Sequence, residues 1–167
     1  MQKKIKFITT AAIIAAAYVV LTFVSAAFNI AYGPIQFRLS EALCILPVFT
    51  PAAIYGVTVG CFISNILSFN ALDMLFGTLA TLIAAILTYL TRNIRYKELP
   101  LLSAVFPVIL NAFIVGAEIS VFFLNNTAFF TGFIISALQV GLGEIVVCYG
   151  LGIPLYGVLD KIKIPWR

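Results

Sequence analysis

Five ionisable side chains stand where the sequence makes charge expensive, and they decide what chemistry the chain can do. Arg38 and Glu41 lie three residues apart at the head of an apolar stretch, and Asp73 opens another. Glu118 and Glu144 lie deep inside two further apolar runs, far from any basic residue in sequence. Among them, one positive and four negative charges leave a formal balance of −3. Such a site suits a cation or a ligand rich in N–H donors. Asn65, Asn70, Asn111 and Gln139 add hydrogen-bonding capacity, and 15 Phe with 7 Tyr can supply a stacking wall for a flat heterocycle. Asn111 and Glu118 are seven apart and share a helix face. Gln139 and Glu144 point about 140° apart on an ideal helix, so they line one pocket only if Gly141 and Gly143 loosen that helix.

Other chemistries are excluded by what the sequence lacks. It has no histidine, so His-ligated metals and Ser/His or Cys/His nucleophile pairs are ruled out. Cys44, Cys61 and Cys148 are widely spaced in apolar runs and read as small lipophilic packing. No GxxxxGK[ST] phosphate loop is present, so the chain does not bind ATP in that way, and if it drove uphill transport the energy would come from elsewhere. Blander roles compete for the charged residues: a local Arg38–Glu41 ion pair, an Asp73 carboxylate facing a helix N-terminus, and Asn111 or Gln139 bridging helices.

These groups must be carried by elements that live in lipid. The 167 residues are 63% hydrophobic and 10% charged, against roughly 25% charged for a soluble domain. Apolar runs extend over Phe7–Phe28, Leu72–Leu90, Leu101–Leu124 and Gly132–Val158. The first exceeds the roughly 7–15 residues of a signal-peptide core and reads as a retained span. Leu39–Leu67 as one helix would exceed about 40 Å. Pro47 and Thr50-Pro51 split it into two short helices, about 39–50 and 51–68, with Thr50 capping the second. The prediction is an all-α, six-helix transmembrane bundle forming one domain over residues 1–167. Pro107 and Pro154 are expected to kink or loosen their helices.

Charge placement orients that bundle. Six spans put Lys3, Lys4, Lys6, the Arg92–Lys97 loop and the Lys161, Lys163, Arg167 tail on one side, the cytoplasm, with both termini. Only Arg38 of the ten basic residues then lies outside. The net charge of +4 reports topology and makes no case for nucleic acid. Asn125-Asn126-Thr127 reads as an outer loop, its glycosylation sequon a coincidence. The polar groups cluster in the outer half, so a pocket opening outward is expected. In the first span, Ala11, Ala12, Ala15 and Ala16 (with Ala17) put small residues at i, i+4 spacing, which lets another helix approach closely; internal packing and a partner surface both fit.

Tyr32-Gly33-Pro34-Ile35-Gln36-Phe37-Arg38-Leu39-Ser40-Glu41-Ala42-Leu43, then Phe49-Thr50-Pro51-Ala52-Ala53-Ile54 and Gly141-Leu142-Gly143-Glu144-Ile145-Val146-Val147-Cys148-Tyr149, resemble the queuosine-precursor transporter family. Its members are substrate-binding S components of energy-coupling-factor transporters. The resemblance implies a six-helix bundle in the cell membrane that captures a 7-deazaguanine, such as a pre-queuosine base, from outside. It implies no cofactor, but a transmembrane coupling subunit and two cytoplasmic ATPases as partners. In that class a small-residue pattern on the first helix meets the coupling subunit, which Ala11/Ala15 and Ala12/Ala16 match. It suggests Glu144 or Glu118 for the base's N–H edge, and Asn111, Gln139 or Arg38 as donor to O6. Asp73 or Glu41 would then stand near a cationic aminomethyl substituent. The rival readings are an S component for another vitamin or nucleobase, a stand-alone cation-coupled carrier, a membrane enzyme and a structural subunit.

Overall fold

In lipid every backbone polar group must be satisfied within the chain, which confines an apolar sequence of this kind to helices or a closed barrel. The computed structural model, which describes residues 1–31, 35–67, 71–122 and 129–162, is all-helical, with a single two-residue bridge between Tyr96 and Leu99. The elements are α1 (Gln2–Ala27), a 3₁₀ segment (Leu39–Val48), α2 (Ala52–Leu67), α3 (Ala71–Leu90), α4 (Leu101–Phe122), α5 (Phe129–Val147), a π turn (Cys148–Gly152) and α6 (Ile153–Ile162). By length and hydropathy, four helices are sufficient to cross a membrane among the described residues: Gln2–Ala27, Leu72–Leu90, Leu101–Phe122 and the continuous Phe129–Ile162. Tyr32-Gly33-Pro34, Asn70, the Asn125–Thr127 loop, Lys163 and Arg167 lie outside the described residues.

The hydroxyl residues in these helices hide their polarity locally. Thr22, Ser25, Thr58, Ser64 and Thr81 each donate to the carbonyl four residues earlier, at 2.7–3.0 Å. α1 ends where Asn29 takes the left-handed conformation (φ 57°). Ile30 N–H returns to Ser25 O and Asn29 N–H to Ala26 O, so the last carbonyls of α1 are satisfied in a Schellman arrangement. Thr50 Oγ1 accepts from Ala52 N–H at 3.4 Å and caps α2.

Two segments depart from the expected plain helices. Residues 39–48 wind as a 3₁₀ helix, and Ser40 through Val48 are all buried. At about 2.0 Å per residue, ten residues span about 20 Å, so a tighter helix covers more depth with fewer residues. The loosening expected at Pro154 falls just before it, in the π turn. Pro154 offers no N–H to Gly150 O, and the chain re-registers its hydrogen bonds there. α5 stays α-helical through Gly141 and Gly143, so the loosening that would have let Gln139 and Glu144 converge does not occur. α4 likewise continues through the buried Pro107.

Cross-contacts give the helix directions. An ideal Cβ on Gly56 would lie 2.8 Å from Ala11 O, and one on Gly60 3.0 Å from Ala15 O, so α1 and α2 run parallel in close contact. Asn65–Asp73, Thr88–Ser103 and Asn111–Glu144 hydrogen bonds make α2/α3, α3/α4 and α4/α5 antiparallel. The starts of α1, α2 and α4 therefore share one end with the close of α3 and α6. That end carries Lys3, Lys4, Lys6, Arg92, Arg95, Lys97 and Lys161, with Arg95 5.7 Å from the Tyr156 ring. Between the ends lies an apolar core of Ile14, Tyr18, Leu43, Leu46, Val57 and Ala85.

Candidate functional site

The 3₁₀ segment threads the bundle, and Arg38 at its start and Glu41 in its first turn meet α1, α2, α3 and the π turn. Arg38 is its cap residue in extended conformation, which turns the side chain away from Glu41 and toward α2 and α3. Arg38 Nη2 forms an ion pair with Asp73 Oδ2 at 2.6 Å, Nη1 donates to Asn65 Oδ1 at 3.2 Å, and Nε to Ala31 O at 3.3 Å. Asn65 Nδ2 in turn donates to Asp73 O at 2.9 Å. The structure thus replaces the local Arg38–Glu41 pair with a long-range one that ties the loop before the 3₁₀ segment to α2 and α3. Asp73, in the first turn of α3, serves both its helix N-terminus and this arginine.

Glu41 belongs to a second cluster. Tyr18 of α1 donates to Glu41 Oε1, and Cys44 Sγ lies 3.1 Å from Oε2. Cys148, opening the π turn, lies 3.8 Å from Glu41 O and 3.5 Å from Glu144 Oε2. Glu144 Oε1 accepts from Asn111 Nδ2 at 2.9 Å, across from α5 to α4. Because a carboxylate only accepts, this bond also fixes which end of the Asn111 amide faces Glu144. A relay of buried groups therefore runs from Tyr18 on α1 to Asn111 on α4. Glu118 stands apart: it is 4% exposed, and its Oε2 has no hydrogen-bond partner among the described residues.

The loop before the 3₁₀ segment is pressed onto α5. A Cβ on Gly143 would lie 2.1 Å from Gln36 O, so only glycine permits the backbone to cross there. Phe37 N–H bonds Ile30 O and Leu39 N–H bonds Ser25 Oγ, which hold the loop over the end of α1.

The seven polar positions singled out by sequence thus divide. Arg38 and Asp73 pair directly, with Asn65 touching both; Glu41 and Glu144 meet through the Cys148 thiol, and Glu144 bonds Asn111 directly; Glu118 lies seven residues along α4 from Asn111. Gln139 is half-buried on α5 and hydrogen-bonds to none of the others. Sequence reasoning missed Tyr18, whose hydroxyl in the middle of an Ala- and Ile-rich helix was the available signal. It also underrated Cys44 and Cys148, which pack as small apolar groups and donate S–H as well. Of the alanines, Ala15 is buried against α2 and Ala11 is half-buried, whereas Ala12 and Ala16 face outward. A groove of about 280 Å³ runs beside them, lined by Phe7, Ile8, Ala11, Ala12, Ala15 and Tyr55 among others.

The sequence matches the family described as QueT transporter over residues 8–161, nearly its full length. This chain belongs to the QueT transporter family. A protein of Lactococcus lactis subsp. cremoris (strain MG1363) named queuosine precursor transporter QueT is 47% identical over 91 residues. That match covers 54% of this chain and 53% of the relative, so the chain spans about half the length of the curated relative it matches. No solved structure matches it. Membership in the QueT transporter family accords with the multi-pass helical architecture.

Proposed function

We propose that this chain is the substrate-capture component of an energy-coupling-factor importer, binding a 7-deazaguanine queuosine precursor from outside. In this reading it is one bundle of six crossings, the 3₁₀ segment and α2 being the short ones, with both termini in the cytoplasm. Uptake is driven by a transmembrane coupling subunit and two ATPases, consistent with the absence of a phosphate loop in this chain.

The observation that carries the reading is the buried Asn111–Glu144 pair. Each carboxylate oxygen of Glu144 keeps a further lone pair beyond those used by Asn111 and the weak thiol donor Cys148. They suit the adjacent N1–H and exocyclic amine of a deazaguanine. Asn111 Nδ2 has a second N–H, beside the one given to Glu144, for the neighbouring O6. Amine, N1–H and O6 are consecutive on the ligand's edge, as the acceptors and donor are consecutive here. A base lacking the amine leaves a buried carboxylate without its partner, which is how such a site rejects adenine-like rings.

The test is a calorimetric titration of the purified chain with 7-deazaguanines, followed by reconstitution. Glu144→Gln puts an amide N–H against the ligand's own donors and is expected to weaken binding about 30-fold or more. Unchanged affinity in this variant overturns the assignment. Uptake by the chain alone, driven by an ion gradient, overturns the importer reading in favour of a stand-alone carrier.

A further inference from the structure

The four buried carboxylates are unequally occupied. Asp73 is held by Arg38, Glu41 by Tyr18 and Cys44, and Glu144 by Asn111 and Cys148. Glu118 Oε2 is the one buried carboxylate oxygen with no hydrogen-bond donor among the described residues. The guanidinium nearest in charge, Arg38, already gives its Nε, Nη1 and Nη2 to Ala31, Asn65 and Asp73. The charges of both Asp73 and Arg38 reach Glu118, the repulsion from Asp73 ahead of the attraction from Arg38, so among the described residues no cation is committed to it. A buried, uncompensated carboxylate is among the costliest groups a membrane bundle can hold.

Its position says what would compensate it. Seven residues of α4 set Glu118 about 10 Å along the helix axis from Asn111, on the same face. In a 7-deazaguanine the 7-substituent neighbours O6, so with O6 on Asn111 an aminomethyl arm, with one hydrogen bond at each end, can bridge that distance. Phe122, one turn beyond Glu118, meets Phe76, three residues beyond Asp73, with ring centroids 6.2 Å apart. A buried acid one helical turn from an aromatic pair suits an ammonium group, which both a carboxylate and a ring face attract.

We propose that Glu118 is a specificity-determining residue that receives an alkylammonium substituent on the ligand, so that this chain selects the cationic 7-aminomethyl-7-deazaguanine over neutral members of the same class. The inference rests on the function proposed above, and it transfers the cation-binding role from Asp73 and Glu41, which are engaged within the fold, to Glu118. Ligand binding then completes the polar network: the ammonium satisfies Glu118 while the ring edge satisfies Glu144 and Asn111.

The experiment is a titration of the purified full chain with two probes, 7-aminomethyl-7-deazaguanine and 7-cyano-7-deazaguanine, in native and Glu118→Gln forms. The native chain is expected to favour the cationic probe by about 30-fold or more. Glu118→Gln is expected to bring that ratio to within about threefold, with the loss falling on the cationic probe; saturable binding of the cyano probe shows that the variant folds. A ratio that survives in Glu118→Gln, or an equal loss for both probes, overturns the proposal and leaves the deazaguanine reading standing. Binding of neither probe to the native chain overturns both.

Discussion

At the scale of single residues, the Arg38–Asp73 pair shows how a bundle in lipid tolerates charge. Both side chains are almost fully buried, and the pair is joined by Asn65, which contacts both. Removing one partner leaves the other as a lone buried charge, which costs about 3–5 kcal/mol. Replacing both removes the desolvation penalty together with the attraction. Arg38→Met and Asp73→Leu are therefore each expected to lower stability by that amount, and the double variant by clearly less than the sum. Unfolding in detergent micelles, read as a double-mutant cycle, checks this; additive losses would mean that the two charges do not depend on each other. The identities of Arg38, Asp73, Glu118 and Glu144 as costly groups were plain from the sequence, because charge is scarce there. Their pairing was not: Arg38 and Glu41 are neighbours in sequence, but Arg38's extended cap conformation sends it to a residue 35 positions away. Tyr18 escaped notice, and the cysteines read only as packing, for a related reason, since their polarity matters only once a carboxylate is placed beside them.

At the scale of elements, the helices were legible and their irregularities were not. Long apolar runs give α1, α3, α4 and α5 directly, and Thr50-Pro51 marks the start of α2. Hydropathy carries no information on whether a ten-residue apolar stretch winds as 3₁₀ or α, which tertiary packing around Ser40–Val48 decides. The π turn was legible only in part, through Pro154. Gly143 was noticed as a possible loosener, yet its use is the reverse: it lets the Gln36 backbone seat on an intact helix. Gly143→Ala forces that loop off α5 and is expected to destabilise the protein by about 1–3 kcal/mol. Gly150→Ala, where an added Cβ meets nothing within 4 Å, serves as the matched control and is expected to melt at the native temperature or slightly above. Equal melting of the two variants would show that the loop is not held by this contact.

At the scale of the whole molecule, the small residues of α1 first serve its contact with α2. Ala11 and Ala15 sit where α2 brings Gly56 and Gly60 against the backbone of α1. The Gly56-x-x-x-Gly60 spacing on α2 is the sequence signal that identifies this internal contact. Ala12 and Ala16, one residue on, are turned outward, and Ala12 lines a groove together with Phe7, Ile8, Ala11, Ala15 and Tyr55. Of the two readings open to the alanine pattern, internal packing thus takes Ala11 and Ala15, and a partner surface is what we propose for Ala12 and Ala16. If a coupling subunit docks on this chain through α1, its helix approaches closely at Ala12 and Ala16, whereas substitution at Ala15 acts by separating α1 from α2. Ala12→Trp and Ala16→Trp are therefore expected to abolish co-purification with the coupling subunit and ATP-dependent uptake, while deazaguanine titrations still saturate. Ala15→Trp is expected to lower the melting temperature of the chain by itself, before any partner is added. Retained co-purification in both outward variants would move the docking surface off α1, and a loss of ligand binding in them would show that the outward face is coupled to the site through Tyr18 and Glu41.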